Sequence, residues 1–342
     1  MAYTVHIREF GKTIPVEHGQ TILEAALAAG HNYPCGCRSG NCGTCKSMLV
    51  AGTVDLKPYA AFILPEEERA SGKILACRAL PRSDCEVAYE KPDEAVVHPQ
   101  RRLACRVAMV EDMARDVRRV GLEVTGGGPF EFSAGQYASA TFADLPARDF
   151  SMANRADEPL IEFHIRRIAG GEVSGYVFDR LQPGETVTLE GPFGVSYLRE
   201  NHGGPIIAIA GSTGLAPLKA IAETALGLGM SQGIHLYFGV RDEQDLYMVE
   251  PLESLAAAHD NFTFIPVLSE PAGPTERRTG LVTDAVAQDF GDLEGCKAYI
   301  AGPPVMIEAA IEMLEGLDMS RDDCHADAFY TEAEKAALDA AS

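Results

Sequence analysis

The sequence predicts a three-part protein of the α/β-plus-β class: a small domain of hairpin, helix and strand over residues 1–93, a small antiparallel β-barrel or sandwich over 100–199, and a parallel α/β sheet over 200–335. Three patterns carry that expectation. Four cysteines and three glycines crowd into PCGCRSGNCGTC, residues 34–45. Short alternating strands punctuated by glycine and proline fill the middle of the chain. Strand and helix patterns then alternate almost to its end.

The opening YTVHIREFGKTIPV alternates apolar and polar residues around a glycine-containing turn, the pattern of a β-hairpin. In GQTILEAALAAG, Thr21 stands at an N-cap position, Glu24 follows three residues on, and Gly30 ends the run, which predicts a short capped helix. The cysteine loop comes next, and KSMLVAGTVDL returns to strand character. YEKPDEAVVHPQ, polar and proline-containing, reads as a linker. LACRVAMVEDM, VRRVGLEVT, GQYASATF, LIEFHIRRI and ETVTLEGPFG are the strands of the barrel or sandwich. PIIAIAG leads through STGLAP into LKAIAETALGLGM, and IHLYFGV leads into PLESLAAAH. These are βαβ units, which require a parallel sheet.

The net charge is −21, concentrated in residues 200–342, so the chain lacks the basic stripe that phosphate backbones demand; nucleic acid is excluded as a partner. Charges within the first eight residues exclude a signal peptide, and the longest apolar run is too short to span a bilayer. These features predict a cytoplasmic monomer. Nine cysteines, an odd number in a chain without a secretion signal, point to reduced thiols and a metal site rather than disulfides.

Cys37, Cys42 and Cys45 have the C-x4-C-x2-C spacing that holds three corners of a plant-type [2Fe–2S] cluster, and Cys77 supplies a fourth. Gly36, Gly40 and Gly43 let the loop turn backbone N–H groups toward the sulfurs. Cys35 would give C-x6-C, so Cys37 is the ligand and Cys35 its neighbour. A zinc site is the competing reading, but it usually needs two C-x2-C pairs, and only Cys42 and Cys45 form one. Cys85, Cys105, Cys296 and Cys324 lack partners at ligand spacing and read as buried thiols.

IIAIAGSTGLAP places Gly211 and Gly214 in a turn between a buried strand and a helix, where backbone can approach a phosphate; a plain strand-to-helix turn looks the same. In ARDFSMAN, Arg148 and Ser151 could present a guanidinium and a hydroxyl to one ligand. Gly170, Gly171 and Ser174 form a turn able to cradle a pyrophosphate.

Taken together, CRSGNCGTC, RDFSMAN, EFHIRRIAGGEVSGYVF, GPFG, GSTGLAP, YFGVRDEQDLY, AGPPVM and HADAFY resemble, in order and over nearly the whole chain, the ferredoxin–NAD(P) reductase family. The resemblance is to the reductase components of ring-hydroxylating dioxygenases, naphthalene dioxygenase reductase type, which serve aromatic hydrocarbon catabolism. It implies a β-grasp ferredoxin domain, a flavin-binding barrel and a Rossmann-like nucleotide domain. It implies that Arg148, Phe150 and Ser151 hold FAD, with Ser151 near the flavin N5 and Phe150 replacing the usual tyrosine. His164, Ile165 and Arg166 would line the flavin, and Gly171, Val173 and Ser174 would meet its pyrophosphate. Gly211, Thr213, Gly214, Gly239, Gly302 and Pro303 would hold the nucleotide, with Arg241 and Tyr247 near its adenosine half. Phe329 would be the aromatic that covers the flavin and yields to nicotinamide.

The implied electron path runs from NADH to FAD to [2Fe–2S] to an oxygenase component or its small ferredoxin, docked near Arg38 and Lys46. The scarcity of Lys and Arg after residue 200 favours NADH over NADPH, whose 2′-phosphate wants cationic partners. The alternatives are a reductase for a diiron monooxygenase or a deoxysugar dehydratase, a redox-sensing carrier without turnover, and a zinc-stapled binding protein.

Overall fold

A computed structural model describes residues 2–90, 93, 94 and 96–340, and part of the expected linker, Lys91, Pro92 and Ala95, lies outside the described residues. Residues 1–95 with 330–342 form one compact unit and residues 96–329 another.

In the first unit β1 (Tyr3–Ile7) and β2 (Lys12–Val16) make the expected hairpin. α1 (Ile22–Ala28) buries Ile22, Leu23, Ala25 and Ala26. Its capping box forms as the spacing predicts: the Glu24 N–H donates to Thr21 Oγ1 at 3.3 Å and the Thr21 N–H to Glu24 Oε2 at 2.8 Å. β3 (Lys46–Ala51), β4 (Val54–Leu56), α2 (Glu66–Ala70), β5 (Lys73–Leu75), β6 (Ala79–Pro81) and β7 (Cys85–Tyr89) follow. The main sheet runs β2-β1-β7-β3-β5, with β1 and β7 parallel and the other pairs antiparallel. A mixed sheet wrapped on one helix is the β-grasp arrangement.

The second unit opens with six antiparallel strands, β8 (Arg101–Ala114), β9 (Val117–Gly126), β10 (Tyr137–Phe142), β11 (Arg148–Ser151), β12 (Ile161–Arg166) and β13 (Thr186–Phe193), and with α3 (Glu172–Asp179) after β12. Their order is β11-β10-β13-β8-β9-β12, and a Met152–Phe163 bridge joins the two ends. That bridge closes a barrel around Leu103, Val107, Val120, Leu122, Phe142, Phe163 and Ile165.

The same unit continues as β14 (Ile206–Gly211), α4 (Leu215–Gly227), β15 (Ile234–Val240), α5 (Val249–Ala258), β16 (Phe262–Leu268), β17 (Arg278–Thr279), α6 (Val282–Asp289), β18 (Lys297–Gly302), α7 (Pro304–Glu315) and β19 (Cys324–Ala328). The sheet is parallel throughout, in the order β17-β16-β15-β14-β18-β19. Every residue of β14 is buried, as a strand covered on both faces requires. Successive connections run outward from β14 in both directions, so strand order reverses between β14 and β18. Ligands of open α/β sheets bind in the crevice at such a point. After β19 the chain enters α8 (Glu332–Ala340), whose residues belong to the first unit. Among the described residues no helix is long and apolar enough to cross a membrane.

Candidate functional site

The cysteine loop brings the four expected ligands together as two pairs. Cys37 contacts Cys42, and Cys45 contacts Cys77, which arrives from the β5–β6 turn. Backbone N–H groups aim at these sulfurs: Cys37 N–H to Cys42 Sγ at 3.4 Å, Asn41 N–H to Cys37 Sγ at 3.3 Å, and Cys77 N–H to Cys45 Sγ at 3.5 Å. Gly40 takes φ +80, and a Cβ there would stand 2.8 Å from Tyr59 Cβ, so only glycine fits. The Cys42 thiol hydrogen-bonds Cys37 and holds it down at about 5, while the same bond and burial push Cys42 up. Among the described residues no three His, Cys, Asp or Glu side chains surround a single ion's position. Two thiol pairs with converging amides fit a two-iron cluster, which takes two thiolates on each iron. Cys35 is buried next to this set, beside Arg38, and burial raises its thiol. Arg38 is exposed, whereas Lys46 is tied to Glu68 at 2.7 Å.

In the barrel, β11 carries Arg148, Phe150 and Ser151. Arg148 donates to the Ala147 carbonyl at 2.8 Å, and Phe150 packs against Phe142 and Phe163 with centroids 6.2 and 5.8 Å away. Ser151 Oγ donates to Asp327 Oδ2 at 2.9 Å, linking β11 to β19 across 176 residues. The turn before α3 is closed by Ser174, whose Oγ accepts the Ile168 N–H at 3.0 Å, and Gly171 is the N-cap of that helix. Val173 is buried on the barrel core. A serine-pinned turn opening a helix leaves N–H groups available to a pyrophosphate, so the residues fit a flavin nucleotide.

His164 and Ile165 turn inward instead. Ile165 is fully buried, and His164 Nε2 lies 2.9 Å from Glu162 Oε1, with Nδ1 3.2 Å from the Tyr247 hydroxyl. Burial pushes Glu162 up, but the His164 hydrogen bond and the charges of Lys219 and Arg119 prevail and hold it down at about 2. An ionised Glu162 only accepts, so His164 carries its proton on Nε2 and Nδ1 accepts from Tyr247 O–H. Arg119 Nη2 completes the pair with Glu162 at 2.5 Å, and Lys219 Nζ donates to Glu223 at 2.9 Å and to the Ala153 carbonyl at 3.0 Å. This buried joint between β9, β12, α4 and the segment before α5 was not visible in the sequence.

Residues expected to hold the nucleotide gather in part at the carboxyl ends of the parallel strands. An open cleft is lined by Gly211, Gly239, Arg241 and Pro303 of the expected set and by Arg166 from β12. Thr213, Gly214, Gly302 and Tyr247 lie off this lining. Gly214 has a packing reason to be glycine, since a Cβ would stand 1.9 Å from the Ala301 carbonyl oxygen. Ser212, at φ 52, is a lining residue in the left-handed region where non-glycine residues are strained. Phe329 packs on the core of the parallel sheet, its N–H bonded to the Gly302 carbonyl at 2.9 Å.

Asp116, Asp245 and Leu281 also line the cleft, and sequence reasoning missed them. Asp116 and Arg115 are the two-residue turn between β8 and β9. Arg115 Nε donates to Asp245 Oδ1 at 2.6 Å, and Arg166 Nε to Asp116 Oδ2 at 2.7 Å. The barrel hairpin therefore grips the loop after β15 and supplies one wall of the cleft.

Comparison with known proteins gives three family matches in sequence order: a 2Fe-2S iron-sulfur cluster binding domain over residues 5–82, an oxidoreductase FAD-binding domain over 104–197 and an oxidoreductase NAD-binding domain over 208–312. A ferredoxin–NAD(P)+ reductase component of naphthalene 1,2-dioxygenase/salicylate 5-hydroxylase systems from Ralstonia is 41% identical, covering 92% of this chain and 94% of its own. The corresponding naphthalene 1,2-dioxygenase component of Pseudomonas putida is 38% identical, covering 95% and 98%. Among solved structures, an Amycolatopsis cytochrome P450 reductase superposes with a TM-score of 0.76 at 40% identity over 96% of this chain and 98% of its own.

Proposed function

Because the chain belongs to the ferredoxin–NAD(P)+ reductase components of oxygenase systems, we propose that it carries electrons from NADH through FAD and a [2Fe–2S] cluster to an oxygenase component or its small ferredoxin. The observation that carries this reading is the meeting of Cys37, Cys42, Cys45 and Cys77 in two pairs beneath converging amides, in one chain with the flavin and nucleotide domains. When bound, FAD accepts the two electrons of a hydride and releases them singly to a one-electron cluster.

The chain's own residues bind, orient and shield. Arg148 balances phosphate charge, and the turn pinned by Ser174 offers N–H groups. Ser151 gives its one hydroxyl hydrogen to Asp327, which fixes the direction in which Oγ can accept a hydrogen bond. Gly211 and Pro303 shape the nucleotide cleft, and Phe329 stands beside Gly302 as the aromatic that yields to nicotinamide. Arg38, exposed on the cluster loop, meets an acidic patch of the acceptor; Lys46, already paired with Glu68, contributes less.

The acceptor is a Rieske-type oxygenase or its ferredoxin, by likeness to the naphthalene dioxygenase relatives. A second reading, service to a monooxygenase, is favoured by a phenol 2-monooxygenase reductase component of Pseudomonas at 36% identity over 98% of this chain. NADH-driven reduction of cytochrome c by purified wild type, Cys35→Ser and Cys37→Ser tests the common chemistry. Wild type and Cys35→Ser turn over, and Cys37→Ser loses cytochrome c reduction. A wild type without turnover leaves only an electron carrier.

A further inference from the structure

Ser47 is fully buried in β3, while Lys46, Met48 and Leu49 beside it are half-buried. A hydroxyl in such a place is destabilising unless it is bonded, and an alanine would fill the position without that penalty. The serine is therefore explained by where its bonds go. Ser47 Oγ donates to the Cys45 carbonyl at 3.0 Å, and the Tyr33 hydroxyl lies 2.6 Å from Ser47 Oγ. A hydroxyl has one hydrogen and a carbonyl has none, so the direction is fixed: Tyr33 donates to Ser47, and Ser47 donates to Cys45.

Tyr33 is held so that its hydroxyl can go nowhere else. It is 1% exposed, its N–H is bonded to the His31 carbonyl at 2.9 Å, and its ring packs edge-on against Tyr89 and Phe10, with centroids 5.3 and 6.3 Å away. At the other end of the chain of bonds, the Cys45 carbonyl also accepts the Ala76 N–H at 3.1 Å. The next residue, Cys77, turns its own N–H to Cys45 Sγ at 3.5 Å. One carbonyl thus joins the segment that carries Cys45 to the segment that carries Cys77, and two hydroxyls in series hold that carbonyl from behind. Groups that fix a ligand from behind govern how well it holds its metal.

We infer that Tyr33 and Ser47 are positioning residues of the iron–sulfur site, acting in series through the Cys45 carbonyl. The inference rests on the [2Fe–2S] reading of the four cysteines and adds to it two residues that ligate nothing. Both O–H dipoles turn their positive ends toward Cys45, so they favour an added electron on a negatively charged cluster.

The test compares the holoprotein as wild type, Tyr33→Phe, Ser47→Ala and the double variant. A dye-mediated redox titration is followed in the iron–sulfur bands, and iron release from the dithionite-reduced protein is timed with bathophenanthroline disulfonate. Ser47→Ala lowers the midpoint potential of the cluster and speeds iron release about tenfold. Tyr33→Phe moves both in the same direction by less, since Ser47 still reaches Cys45. The double variant matches Ser47→Ala, because the two hydroxyls are links of one chain. An unchanged potential in Ser47→Ala overturns the inference even where the variant unfolds at lower urea, since a loss of stability alone leaves the potential in place. Single effects that add in the double variant overturn the series arrangement, and both of these results spare the reductase. A wild type that holds no iron overturns the [2Fe–2S] reading and the inference with it.

Discussion

The hydroxyl of Ser151 has a single hydrogen, and in this structure it points to Asp327 at 2.9 Å. A carboxylate acceptor makes that bond stronger than a neutral one, so the hydroxyl is pre-aimed rather than free to rotate. Ser151→Ala removes this oriented acceptor without disturbing the barrel, whose strand β11 is held by backbone pairing to β10. The variant is expected to keep its flavin but to slow NADH-dependent flavin reduction by about tenfold to a hundredfold in stopped-flow measurements. A rate within twofold of wild type removes Ser151 from the reaction. This pair also shows what single-sequence reading misses. Ser151 announced itself through its neighbours, but its partner is 176 residues away, and no local pattern records a contact that only the closing of β19 onto the sheet creates.

Elements are tied together by two polar devices of different depth. In the buried joint, Glu162 is held down at about 2 and burial keeps His164 neutral. Both act in the same direction. Below about pH 4.5 the unfolded chain protonates a Glu162 that the folded chain keeps ionised, and below about pH 6.5 it protonates a His164 that the folded chain keeps neutral. Stability is therefore greatest near neutrality and falls as pH drops through 6.5 and then through the window from 4.5 to 2. Glu162→Gln takes from the joint the carboxylate that Arg119 and His164 bond, while Lys219 keeps Glu223, and is expected to cost about 2 kcal/mol in urea unfolding at pH 7. The deficit should narrow toward pH 4, and a deficit independent of pH would contradict the assignment. The shallower device, Arg115 to Asp245, is half in solvent on the arginine side. Arg115→Ala is expected to raise KM for NADH by about two- to fivefold with kcat unchanged, less so in high salt. An effect on kcat alone would show that the hairpin does not shape the cleft. The hairpin, the capped α1 and the glycine turn after β14 were legible because each is local. The grip of the β8–β9 turn on the β15 loop was not, since Arg115 and Asp245 are 130 residues apart and each reads as an ordinary surface charge.

At the scale of the whole molecule, the layout of the parts was the most legible feature. Period-2 strands broken by glycine predicted a barrel or a sandwich, and the bridge between Met152 and Phe163 closes a barrel. Strand-helix alternation predicted a parallel sheet, and all five of its strand pairs are parallel. The grouping of residues 330–342 with the first unit was not legible, because α8 is short and polar and its allegiance depends on packing. The central claim is that one chain takes electrons in pairs and gives them out singly, and that demands two redox groups of different capacity in fixed proportion. The most direct measurement is an anaerobic titration of the purified holoprotein with NADH, followed in the visible spectrum. The account predicts bleaching of both flavin and iron–sulfur bands, complete at about three electrons per chain, two for FAD and one for the cluster. Bleaching that stops at two electrons with the iron–sulfur bands intact, or a protein that NADH leaves unchanged, would contradict it.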